Sequence, residues 1–91
     1  MDYYTLNYSQ VKKYIPEAKA QGVSEVARSK GQFVDQLSKV GSVSKLPQDW
    51  KSKRENFIAR TLPAYQSNPT YRRWLSLVMW GAKPKGKKPK P

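Results

Sequence analysis

Apolar positions in this chain recur every three or four residues and almost never every second one, a pattern that predicts helices rather than strands. Tyr4, Tyr8, Val11 and Ile15 fall four, three and four apart, with Lys12 and Lys13 turned off that stripe, and Pro16 is expected to close or kink the segment. Residues 16–21 have room for one more turn before Gly22. Ser24 suits the N-cap of a short helix over 25–29, Gly31 breaks the run, and Phe33, Val34, Leu37 and Val40 form one helical face ending at Gly41. After a loop over 41–47, Pro47 opens a long helix with Trp50, Phe57, Ile58 and Leu62 on one side. Pro63 and Asn68-Pro69 predict an interruption, with Asn68 as N-cap and Pro69 as first residue of a last helix that stops at Gly81. Tyr71, Trp74, Leu75 and Val78 are its expected buried face, with Leu77 at the edge. The expected fold is all-α, a small bundle of four to five short helices with no sheet; residues 3–8 alone also permit an extended reading.

The last nine residues, Lys83-Pro84-Lys85-Gly86-Lys87-Lys88-Pro89-Lys90-Pro91, differ from the rest. Prolines deny helix hydrogen bonds and like charges repel, so this segment is expected to be a disordered basic tail following a helical domain over residues 1–82.

Length and charge narrow the function. Ninety-one residues make one domain, and a chain of this size buries only about 60% of its unfolded surface. With 37% apolar residues, the core is expected to be small and stability modest. Eighteen Lys and Arg against six Asp and Glu give +12, and without the five lysines of the tail the body still carries +7. Such an excess favours a polyanionic partner: nucleic acid first, DNA ahead of RNA, and less often an anionic membrane or an acidic protein surface. The N-terminal residues lack a signal-peptide pattern and the densest apolar run, Trp74 to Trp80, is too short to span a membrane. The expected location is intracellular, cytoplasmic or nucleoid-associated, or packaged within a particle.

With neither Cys nor His in the chain, thiolate and imidazole chemistry, disulfides and His- or Cys-ligated metals are out of reach. Asp35, Asp49 and Glu55 are widely spaced and lack the arrangement of a metal-dependent nuclease. The six tyrosines have no His to support strand-cleavage chemistry, and no Gly-rich loop opens a helix. A non-enzymatic protein without cofactor or metal is expected.

Four basic constellations remain. The segment from Val23 to Val40, with small Ala27, Gly31 four residues later, then Val34, Leu37 and Val40, resembles the helix-turn-helix of repressors, which would imply a DNA-reading second helix. It departs from that motif at Lys30, Gln32 and Asp35, and Lys39 is the sole cation on the second helix; an ordinary helix–Gly–helix corner is the favoured reading. On the long helix, Lys53, Asn56 and Arg60 form a stripe away from the apolar arc, suited to phosphate or simply to water. Arg54 falls inside that arc one turn after Trp50 and is expected to stack on its indole. On the last helix, Arg72, Arg73, Ser76 and Trp80 oppose the buried face, so Trp80 is either a contact ring beside two cations or a cap on the core. Lys83, Lys85, Lys87, Lys88 and Lys90 of the tail either track phosphates or only keep the terminus soluble.

The function expected from these features is phosphate-backbone binding of nucleic acid through the basic helical surface (Lys53, Arg60, Arg72, Arg73, Trp80) and the lysine tail. The alternative is a small interaction or structural protein that meets an acidic surface of a partner or of a nucleoprotein assembly such as a virion or ribosome.

Overall fold

In the computed structural model, which describes residues 2–91, the chain runs β1 (Tyr3–Thr5), α1 (Tyr8–Lys12), α2 (Ile15–Gln21), α3 (Glu25–Arg28), α4 (Phe33–Val40), a 3-10 turn (Val43–Lys45), α5 (Gln48–Ser67), α6 (Tyr71–Met79) and β2 (Ala82–Pro84). The fold is predominantly helical, as the apolar spacing predicted. Without the single turn α3, the described residues hold five α-helices.

α6 is the central element. Tyr71, Trp74, Leu75 and Val78 are buried as expected, but so are Leu77 and Met79, because α2, α5 and β2 pack around the helix. A helix apolar nearly all round is one enclosed by its neighbours. Val11 of α1, Ala18 of α2, Phe33 and Leu37 of α4, and Ile58 and Tyr65 of α5 are among the residues that join it in the core.

Local hydrogen bonding moves several predicted boundaries. Asn7 Oδ1 accepts the Gln10 N–H at 3.1 Å while Gln10 Oε1 accepts the Asn7 N–H at 3.0 Å, a reciprocal capping box that starts α1 at Tyr8 and leaves Tyr4 outside it. Pro16 does not close a helix; it lies in the first turn of α2, where its missing N–H would have no intrahelical partner anyway. Thr70, not Asn68, caps α6, its Oγ1 accepting the Arg73 N–H at 3.2 Å. The break expected at Pro63 is absent and α5 runs on to Ser67. Pro63 and Ala59, whose carbonyl loses its acceptor role, both face solvent, so water can serve the freed carbonyl, and buried Tyr65 anchors the last turn.

Two expectations about the chain ends need correction. A sheet exists: β1 pairs antiparallel with β2, Tyr3 opposite Pro84, Tyr4 opposite Lys83 and Thr5 opposite Ala82. The ladder is extended by Leu6 N–H to Gly81 O at 2.9 Å and Lys85 N–H to Asp2 O at 3.0 Å. Bonded and non-bonded pairs alternate along such a ladder, which puts Pro84 at a non-bonded position where its lack of an N–H costs nothing. The boundary drawn after residue 82 therefore falls inside a strand. Nor does the structure show a disordered tail. Pro84 is buried, the Lys88 Nζ lies 5.5 Å from the Trp74 ring centroid, and Pro89 and Lys90 line a cleft with Tyr71 and Arg72.

Candidate nucleic-acid interface

The five arginines divide sharply. Arg28 Nε donates to Val23 O at 2.9 Å, just beyond the end of α2, and Arg72 Nη1 donates to Gln21 O, the last residue of that helix. Arg73 Nη1 donates to Asn68 O, the C-cap of α5, at 3.0 Å. Arg54 donates through Nε to Trp80 O at 2.8 Å and through Nη2 to Gly81 O at 3.0 Å, at the end of α6. Each of these guanidinium groups therefore sits where unpaired carbonyls and the negative end of a helix dipole gather. Among the described residues, Arg60 alone of the arginines makes no hydrogen bond within the chain.

Arg54 corrects the expected stacking on Trp50. Only 5% exposed, it has its guanidinium carbon 5.8 Å from the Tyr3 ring centroid. Burial lowers its pKa from the ordinary guanidinium value, an effect partly opposed by Tyr3. Gly81, whose carbonyl takes one of these bonds, has a φ of +74°, a left-handed conformation that suits glycine.

The free cation Arg60 lies on a groove of about 420 Å³. Lys53, Asn56, Phe57 and Arg60 of α5 line it together with Val26, Gln32, Trp50 and Trp80. Residues four and three apart on a helix share one face, which is why Lys53, Phe57 and Arg60 converge. No carboxylate lines the groove. Lys53 Nζ rests 4.3 Å from the Trp50 ring centroid, and Trp80 is stacked between Phe33 at 4.6 Å and Phe57 at 4.8 Å. Both faces of Trp80 are thus occupied by protein rings. Over one face of Trp50 lies the flexible Lys53 side chain, and no aromatic ring stacks on this indole.

A second cleft of about 270 Å³ is lined by Val23, Ser24, Thr61, Arg72, Arg73 and Ser76. Arg72 and Arg73, already committed to helix ends, are on its border. Lys90 shares a further cleft with Arg72. The other tail lysines lie elsewhere: Lys83 is half-buried in β2, Lys85 Nζ is 5.0 Å from the Tyr4 ring centroid, Lys88 covers Trp74, and Lys87 is exposed. Of the residues predicted from sequence, Lys53, Arg60 and Trp80 meet in one groove. Sequence reasoning assigned Trp50 and Phe57 to the core alone and did not single out Val26 or, as a site residue, Gln32. An aromatic residue set between two cations at helical spacing was the signal available for Phe57.

The Val23 to Val40 corner has its expected packing, with Ala27, Val34 and Leu37 buried. Its first arm is the four-residue α3. Asp35 Oδ2 accepts the Gly31 N–H at 2.9 Å and lies 3.9 Å from Lys39 Nζ, so an acid partners the only cation of α4.

Compared with protein-family models, with curated proteins and with solved structures, the chain shows no significant match. No helix among the described residues is long and apolar enough to cross a membrane.

Proposed function

We propose that this chain is a non-enzymatic nucleic-acid-binding protein whose principal contact surface is the groove between α5 and the α3–α4 corner. The observation that carries the reading is the convergence of Lys53 and Arg60 with the Trp50, Phe57 and Trp80 rings in a concave surface free of carboxylates, on a chain of net charge +12. Cations at the rim neutralise phosphates while the apolar floor meets sugars or bases. Arg72, Arg73 and the tail lysines add to the positive field of the molecule.

Titration of fluorescently labelled DNA and RNA at several salt concentrations tests the reading. Binding whose log affinity falls steeply with log salt, and weakens for Lys53→Ala with Arg60→Ala, is expected; each phosphate contact contributes about 0.7 to 0.9 to that slope. Absence of binding at low salt would refute it. A second reading, an acidic protein partner, draws on Val26, which is 72% exposed at the groove's edge and would suit a protein anchor better than a phosphate. Such an interface would show a shallow salt dependence and sensitivity to Val26→Asp.

A further inference from the structure

We infer that the groove takes an unpaired strand, DNA or RNA, with one base stacked on Trp50 in the place that Lys53 now covers; this deepens the nucleic-acid reading and rests on it. Shape is the first reason. A duplex recognises a protruding basic helix or ribbon that enters its grooves. Here two cations, Lys53 and Arg60, border a concave surface, whereas α4, the element a repressor-like corner would insert, has its one cation beside Asp35. A duplex laid over the groove would meet the rim and leave Trp50 and Phe57 uncovered. An unpaired nucleotide can put its flat base on the apolar floor and its phosphate at the rim.

Ring geometry singles out Trp50. Trp80 has a phenyl ring on each side, at 4.6 Å and 4.8 Å, and Trp74 is buried within α6. Trp50 carries the Lys53 ammonium at 4.3 Å on one face, while Phe33 approaches it only obliquely, 6.5 Å away and tilted by 56°. The lysine has four rotatable carbons and no carboxylate holding it, so it can swing from the indole to a phosphate. The incoming base then replaces a cation–π contact by a stack, and the ammonium exchanges a ring for an anion. Arg60, seven residues along the same face and about 10 Å away at 1.5 Å per residue, meets a neighbouring phosphate.

The test uses the full chain and three probes of equal length: a twelve-residue oligothymidylate, a twelve-residue oligouridylate and the duplex of the first with its complement. At one salt concentration the single strands are expected to bind at least about tenfold more tightly than the duplex, and to quench tryptophan emission as stacking does. Comparing the two single strands separates DNA from RNA as the source. Trp50→Leu, which removes the flat ring, is expected to weaken single-strand binding about 5- to 150-fold, the span of one stacked base, with duplex binding and the salt slope unchanged. Trp50→Phe restores part of the loss, and emission quenching in the unmodified chain gives a readout that needs no substituted protein. Equal or tighter duplex binding, or full single-strand affinity in a folded Trp50→Leu chain, would overturn the inference while leaving nucleic-acid binding intact. Failure of all three probes to bind would remove both.

Discussion

Two faces of α5 use positive charge in opposite ways. On the inner face Arg54 is buried and gives its donors to the carbonyls that end α6. On the outer face Lys53 and Arg60 make no hydrogen bond among the described residues, and line an open groove. Arg54 and Lys53 are sequence neighbours, yet 100° of helical rotation separates a structural cation from one left for a ligand. Net charge alone therefore overstates the charge available for binding. Arg28, Arg72 and Arg73 belong with Arg54 in this respect, each engaged with carbonyls at a helix end.

Substituting the two kinds of cation gives the most direct way to break this division. Arg54→Met should destabilise the fold by about 2–4 kcal/mol in chemical denaturation, since it removes two charge-assisted hydrogen bonds at the end of α6 and leaves the Trp80 carbonyl without its donor. Arg60→Met should stay within about 0.5 kcal/mol, as exposed substitutions do; a comparable loss at both would show that the outer face is structural too. Removing residues 83–91 should cost about 2 kcal/mol, because it deletes three ladder positions, Lys83, Pro84 and Lys85, and the Lys88 contact with Trp74. Unchanged thermal stability after that deletion would mean that the segment contributes only charge. Arg73→Ala should lower stability by about 0.5–1 kcal/mol through the end of α5, measurable as a shift of a few degrees in Tm. The smallest effect near neutrality is that of pH. Burial raises the Tyr65 and Tyr71 pKa values, so the folded chain holds these protons when the unfolded chain begins to lose them. Their contribution is intact below about pH 10, the ordinary tyrosine value, and fades as pH rises above it. Stability tracked from pH 7 to 11 should be flat and then fall, and a decline beginning near pH 8 would point to other groups.

Much of the helical layout was legible because Phe33, Leu37, Trp74, Leu75 and Val78 repeat at helical spacing and because Gly22, Gly41 and Gly81 end helices with positive φ. Pro63 was misread since a proline's cost depends on whether the carbonyl four residues back reaches water, which one-dimensional pattern does not encode. The ladder escaped notice because three residues are too few to show alternation and because Pro84 looks like a breaker until its register is known. At the groove, Lys53, Arg60 and Trp80 were found from charge and aromatic content. Their assembly with Val26 and Gln32 depends on how α5 packs beside the α3–α4 corner, and the diversion of Arg72 and Arg73 to helix ends depends on contacts across about fifty positions of sequence in one case and five in the other.

The ladder between β1 and β2 also bears on the order in which the molecule assembles. Tyr4 and Lys83 are among the most distant partners the chain can have, and closing so long a loop carries the entropy cost that slows folding. α1 to α5 can form from contacts close in sequence, whereas β1 must wait for its partner. The residues of β1 are thus among the last to find their place. The segment 2–6 spends that interval as an unpaired edge, with Tyr3, Tyr4 and Leu6 open to other chains.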